Sequence, residues 1–205
     1  IKDMSVTVGL TGGIGSGKTL IANLFAQTFS IPIYIADQVS KELISQNPLI
    51  QEQIKILLGE ESFNEGIYNT TFVAKVVFSD KKKLEQLNAI IHPYVQENFL
   101  QWKLQQVAPY VIKESAILFE SGSYKDCDYI ITVTAPIEER IRRVMFRDKI
   151  DRETIEKRIK NQWEEQKKIE LSTFVIENNE IDKNLDKIQK VHFKIMKMID
   201  ENAIN

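Results

Sequence analysis

The chain has 205 residues, 43% hydrophobic and 27% charged, with 27 Lys and Arg against 29 Asp and Glu, a formal net charge of −2. That is one domain with room for an inserted lobe, and the near-even charge excludes a nucleic-acid binder driven by bulk positive charge. No apolar run is long enough for a transmembrane helix, and a lone cysteine, Cys127, excludes an intrachain disulfide and fits a reducing compartment.

Ile1-Lys2-Asp3 lack an apolar signal core, so a natural start at Met4 is expected. Ser5–Leu10 then reads as a short buried strand, ended by a glycine-rich run. Apolar residues at Leu20, Ile21, Leu24, Phe25 and Phe29 give Lys18–Phe29 a helical stripe. Ile31–Ile35 is a second strand, and Asp37 to about Ser45 returns to helical spacing. Asn47-Pro48 opens another helix, which runs to Gly59. Glu60–Gly66 is polar and loop-like. Residues 70 to 107 are mostly helical, with breaks expected near Ser79-Asp80 and at His92-Pro93, where proline removes a helix bond and a kink or restart is expected.

Tyr110–Phe119 and Tyr129–Val133 are strand-like. Pro136 begins a charged helix to about Lys149, and a second helix is expected from Asp151 to about Lys168, with Asp151 as its N-cap. Phe174–Ile176 is a last short strand. Leu185, Ile188, Val191, Ile195 and Ile199 mark an amphipathic terminal helix. Five short apolar strands alternating with helices predict an α/β fold, a parallel sheet buried on both faces.

The strongest motif is Gly12-Gly13-Ile14-Gly15-Ser16-Gly17-Lys18-Thr19, a full match to G-x-x-x-x-G-K-[ST] between a strand and a helix. Glycines let successive N–H groups curl inward around a phosphate, and the helix N-terminus adds a favourable dipole. The loop therefore predicts a nucleoside triphosphate, ATP, held by Gly13, Ile14, Gly15, Ser16, Gly17, Lys18, Thr19 and Leu20. Lys18 supplies charge to the terminal phosphates, Thr19 a hydroxyl to Mg²⁺, and the Leu20 amide a donor to the α-phosphate.

Neither N-K-x-D nor D-x-x-G is present, which argues against a GTPase. A small kinase needs a carboxylate for the acceptor hydroxyl and cations for the transferring phosphoryl. Asp37, just past the second strand, is the candidate base, a role compatible with N-capping the next helix. Arg140, Arg143 and Arg147 share one helix face. They are either phosphoryl contacts or a solvated face balanced by Glu138, Glu139 and Asp148.

Several motifs in order resemble the dephospho-CoA kinase family: GLTGGIGSGKT, Asp37 as the second Asp of a D-x-D, Ile90-Ile91-His92-Pro93, and Ala116-Ile117-Leu118-Phe119-Glu120. The likeness continues in Arg143-Val144-Met145-Phe146-Arg147-Asp148, Asn161-Gln162-Trp163 and Val175-Ile176-Glu177-Asn178-Asn179, so it runs from about Val6 to Asn179. It implies a three-layer phosphate-loop kinase fold with a five-stranded parallel sheet. The single domain, 1–205, would carry a helical CoA-binding lobe at about 60–108 and a lid region at about 137–168.

The implied reaction is ATP + dephospho-CoA → ADP + CoA at the ribose 3′-hydroxyl, with Mg²⁺. Asp37 would be the base, and Lys18, Arg143 and Arg147 would stabilise the phosphoryl charge. His92 and Glu114 would join Asp37 at the substrate, and Asn178 would lie near adenine. The chain departs from the family pattern at Ile35 (the first Asp of D-x-D), Ala116 (Pro), Arg140 (Gln) and Thr70 (Arg). No nucleic-acid or membrane partner is expected, and a cytoplasmic monomer or weak homo-oligomer is. The alternatives are a nucleoside or nucleotide kinase, and a phosphate-loop switch that works by binding.

His92 fits a hydrogen-bonded structural role as well as a substrate contact. His192, Trp102 and Trp163 read as packing or surface residues, and Cys127 as a passive, partly buried thiol.

Overall fold

The computed structural model describes residues 5–203; the expected start at Met4 lies outside them. The elements in chain order are β1 (Val6–Gly12), α1 (Lys18–Phe29), β2 (Ile33–Ile35), α2 (Ala36–Gln46), α3 (Pro48–Leu58), β3 (Phe63–Asn64), β4 (Ile67–Tyr68), α4 (Thr70–Ser79) and α5 (Lys81–Leu104). There follow β5 (Tyr110–Glu114), β6 (Tyr129–Thr134), α6 (Ile137–Asp148), α7 (Arg152–Lys160), α8 (Glu165–Glu170), β7 (Phe174–Glu177) and α9 (Asn184–Ala203). The chain forms two compact units: one runs to Ile35 and resumes at Lys103, and the other is Ala36–Trp102.

The first unit is built on a five-stranded, all-parallel sheet of order β2-β5-β1-β6-β7. Side chains alternate across each strand. Val8, Leu10, Ile131 and Val133 face a core filled by Ile21, Ala22 and Phe25 of α1 and Ile188, Val191 and Ile195 of α9. On the other face Ile130 packs with Leu118 and Phe119, bordered by Tyr124, Cys127 and Trp163. Both faces are covered, which is why β1, β5 and β6 read as near-continuous apolar runs. Gly9 of β1 belongs to this second face: a Cβ there would stand 2.7 Å from Leu118 Cδ2 and 2.9 Å from Cys127 Sγ.

The connection after β1 turns toward β2, and that after β6 leads to β7 on the opposite flank. Divergence of this kind opens a crevice at the carboxyl ends of the strands, where the glycine-rich loop lies.

Two expectations need correction here. The strand beginning at Tyr110 stops at Glu114: Ser115 N makes the last bond to β1, on Leu10 O, and the following residues form turns rather than strand. The helix expected from Asp151 to Lys168 is two helices, α7 and α8, broken at Asn161–Glu164. Trp163 N there donates to the Glu120 carboxylate at 2.9 Å, and the Gln162 side chain accepts from Ile14 N. These long-range bonds draw the chain out of helical geometry. Asp151 does cap α7, accepting from Thr154 N at 2.7 Å.

The second unit is mainly helical. Asn47 caps α3, its side chain accepting from Leu49 N and Ile50 N, with Pro48 in the first turn where its missing N–H does no harm. Asn69 caps α4 through Phe72 N, and Asp80 starts α5 by accepting from Lys82 N and Lys83 N. The break expected at Ser79-Asp80 is therefore present. That at His92-Pro93 is not: α5 continues through Pro93. Its buried Leu87, Ile91, Val95 and Phe99 supply packing that outweighs one lost backbone bond. The polar segment after Gly59 holds a small hairpin, β3 and β4, turned by Glu65 and Gly66 at positive φ.

Candidate active site

The glycine-rich loop joins β1 to α1 within the first unit. Gly15 and Gly17 have φ of +79° and +87°, the left-handed region that glycine enters without strain. Gly12 and Gly13 are needed for space instead: a Cβ on Gly12 would lie 2.5 Å from Val133 O, and one on Gly13 2.1 Å from an Arg140 guanidinium nitrogen. Ser16 N closes the loop on Gly13 O at 3.0 Å.

Lys18 opens α1, and its Nζ lies 3.8 Å from Glu114 Oε1, whose side chain is almost fully buried at the end of β5. Thr19 and Leu20 follow in the first turn of α1, on its exposed side. Thr11 Oγ1 and Ser16 Oγ are buried without a hydrogen-bond partner. Buried hydroxyls of this kind call for water or a polar ligand, so these residues fit a phosphate chain.

Side chains from α6 and from the end of β7 grip the loop by its carbonyl groups. Arg140 Nε donates to Ile14 O at 2.9 Å, and its Nη1 pairs with Glu165 of α8 at 3.0 Å. Burial pulls the Arg140 guanidinium below its usual pKa, and Glu165 pushes back. Arg143 Nη2 donates to Asn178 O at 2.9 Å, and Nη1 reaches Gly15 O and Ser16 O at 3.4 Å. Arg142 and then Arg143 donate to Glu139, holding its carboxyl down at about 2.

Asn178 lies beneath the loop. Its Nδ2 donates to Ser16 O at 2.8 Å, and its Oδ1 accepts from Asn184 Nδ2 at 2.8 Å. The adenine neighbour expected from the sequence thus has its side chain engaged with the loop backbone. Arg147 is largely exposed and donates twice to Asp148.

Asp37 is half-buried in the first turn of α2, two residues beyond Ile35. His92 is half-buried in α5. Both belong to the second unit.

Gln162, Glu120 and Lys168 carry no role in the sequence reading, and Arg140 stands there as a candidate phosphoryl contact or solvated cation rather than as a hold on the loop. Gln162 and Arg140 hold the two backbone groups of Ile14, and Glu120 with Lys168 forms a buried ion pair of 2.7 Å that also anchors Trp163 N. Gln162 was visible only as part of a motif, and Arg140 only as one cation in a charged helix. Among the described residues no group of three or more His, Cys, Asp or Glu could hold a metal ion, and no helix is long and apolar enough to cross a membrane.

A strand, a glycine loop with its lysine, and a helix on a five-stranded parallel sheet define a phosphate-loop nucleotide-binding protein. A shikimate kinase from Acinetobacter baumannii shares this fold, with a TM-score of 0.53 at 14% identity over 95% of each chain. The dephospho-CoA kinase family model matches residues 6–183. A dephospho-CoA kinase of Bacteroides fragilis is 40% identical over 177 residues, 86% of each chain, and one of Porphyromonas gingivalis is 38% identical over 161 residues, 78% of this chain and 79% of that one. A solved Thermus thermophilus structure superposes with a TM-score of 0.84 at 31% identity, covering 94% of this chain and 98% of that one. The chain belongs to the dephospho-CoA kinase family.

Proposed function

We propose that the chain transfers the terminal phosphoryl group of ATP to the ribose 3′-hydroxyl of dephospho-CoA, giving ADP and CoA. The observation that carries this reading is the loop itself: left-handed glycines, two unpartnered buried hydroxyls, and Lys18 held beside Glu114, in a chain of this family.

Asp37 accepts the proton of the acceptor hydroxyl, leaving its oxygen free to attack phosphorus. Lys18, Arg143 and Arg147 offset negative charge on the phosphoryl oxygens. Gly13, Gly15, Gly17, Lys18, Thr19 and Leu20 donate amides to the phosphate chain and Ser16 its hydroxyl, while the Ile14 and Ser16 amides are taken by Gln162 and Gly13 O. Asn178 supports the loop on the adenine side. Glu114 and His92 contact the acceptor or its surroundings. Thr19 would be the protein ligand for Mg²⁺, and Glu114 would meet a water on the ion. An oxygen-only set with few protein ligands suits an ion that keeps most of its waters. When bound, Mg²⁺ would neutralise phosphate charge.

The region at about 60–108 is proposed as the CoA-binding lobe within one 205-residue domain, and about 137–168 as a lid. A cytoplasmic monomer or weak homo-oligomer, with no nucleic-acid partner, completes the proposal.

ADP release measured with dephospho-CoA, nucleosides, nucleoside monophosphates and no acceptor tests the reading. Stimulation by dephospho-CoA alone is expected. Stimulation only by a nucleoside or monophosphate makes the chain a nucleoside or nucleotide kinase. Binding of ATP without any acceptor effect makes it a nucleotide switch.

A further inference from the structure

We propose that Arg140, seconded by Gln162, is a positioning residue that aims the amides of the phosphate loop at the nucleotide. The inference rests on the assignment of this loop to ATP.

The geometry centres on Ile14. Its carbonyl accepts from Arg140 Nε at 2.9 Å, and its N–H donates to Gln162 Oε1, also at 2.9 Å. A trans peptide is planar, so the C=O of Ile14 and the N–H of Gly15 point in opposite directions. Pinning the carbonyl against α6 therefore turns the Gly15 N–H away from α6. Asn178, drawing on Ser16 O from behind, does the same for the Gly17 N–H. Two amides of the cradle are thus oriented by donors acting on the carbonyls behind them.

The fit around Arg140 is tight. A Cβ on Gly13 would strike its guanidinium at 2.1 Å, and one on Gly15 would lie 2.4 Å from its carbonyl oxygen. Glycine at both positions thus admits the α6 backbone and side chain as well as a ligand. Simple adhesion does not require a cation here. Ile14 already packs against the cluster of Ile141, Val144 and Ile155, and an apolar residue at 140 would extend that cluster. A guanidinium only 5% exposed, with one donor on a loop carbonyl and another on Glu165, is instead suited to directional hold.

The test uses Arg140→Lys, Arg140→Met, Gln162→Ala and Glu165→Gln in the full chain. ATP affinity is read by calorimetry, kcat and both KM values by steady-state turnover, and folding by thermal melting. Arg140→Lys keeps the charge but loses the Nε–Ile14 bond, so both Arg140 variants are expected to raise the Kd and KM for ATP about tenfold, as loss of one charge-assisted bond does. The KM for dephospho-CoA stays within about twofold, and kcat falls by less than the KM for ATP rises.

Gln162→Ala weakens ATP in the same direction, about threefold. Glu165→Gln leaves the Ile14 bond in place and has the smallest effect. The proposal is overturned if Arg140→Lys binds ATP as the parent does, if both KM values rise together, or if Glu165→Gln matches Arg140→Met. It is equally overturned if Gln162→Ala tightens ATP, since Gln162 would then be a plug that nucleotide displaces. Should Arg140→Met fail to fold, Arg140→Lys and Gln162→Ala still decide it. A parent enzyme that binds no ATP would instead refute the underlying assignment.

Discussion

Lys18 and Glu114 face one another at 3.8 Å, an ammonium group at the start of α1 and a buried carboxylate at the end of β5. Leu10, just before the loop, pairs with Glu114 across the sheet, so the register of β1 on β5 sets this distance. The carboxylate holds the lysine stem at the mouth of the loop. We expect Lys18→Ala to raise the KM for ATP and to lower kcat by about 10²–10³, the scale of one lost charge on a transferring group. Steady-state kinetics checks both, and retention of both would remove Lys18 from the site. Glu114→Gln keeps the shape without the charge and should lower kcat by about tenfold.

Asp37 is proposed to act on the acceptor proton and not on ATP. Asp37→Asn should therefore lower kcat by about 10²–10⁴, with the calorimetric Kd for ATP within about threefold of the parent. Near-normal turnover would leave Asp37 only its place in the first turn of α2, where a carboxylate suits the helix N-terminus; because α2 already begins at Ala36, Asp37 is not the N-cap expected from the sequence.

Glu120 and Lys168 form an ion pair of 2.7 Å in which the lysine side chain is 1% exposed. Removing one partner strands the other charge in a medium that solvates it poorly. Lys168→Met should lower unfolding free energy by about 3–5 kcal/mol, and the double change Lys168→Met with Glu120→Gln by distinctly less. Denaturant melts of the parent, both single variants and the double variant make the comparison; losses in the two singles that simply add in the double would mean the pair is not coupled.

His192 carries the pH dependence best defined by its surroundings. Its ring stacks on Phe29 at 3.8 Å between centroids, and Tyr110 Oη lies 2.7 Å from Nδ1. Burial lowers its pKa below 6.5. The unfolded chain then binds this proton more readily than the folded one, so the histidine's contribution is full above about pH 6.5 and is lost as pH falls toward the folded pKa. The melting temperature should drop on acidification through this window, less steeply in His192→Gln. An identical slope in both proteins would exclude His192 as the source.

Much of the fold was legible because its signals are local. The loop sits where a strand gives way to a helical stripe, and Lys18–Phe29 was read with its observed boundaries. The parallel sheet followed from short apolar strands with helices between them. The helix break at Asn161–Glu164 was not legible, because Gln162 and Trp163 are drawn to Ile14 and Glu120, partners 148 and 43 residues away. Helical periodicity carries no record of such contacts. The Pro93 error had the opposite cause: a strong local signal was overridden by packing along α5.

Within the candidate site, the loop and its lysine were readable from one contiguous motif. The grip of Arg140 and Asn178 on loop carbonyls was not, since any exposed helix can show the same spacing of arginines, and an asparagine after a strand has many uses.

The most direct measurement is the product itself. Enzyme, ATP, Mg²⁺ and dephospho-CoA are incubated together, and ADP and acceptor product are quantified by chromatography, with phosphorus NMR locating the new ester. The account requires ADP and CoA in one-to-one amounts, the new phosphate on the ribose 3′-oxygen, and no ADP beyond background without acceptor. ADP formed at the same rate with and without dephospho-CoA, or a phosphate on any other oxygen, would contradict it.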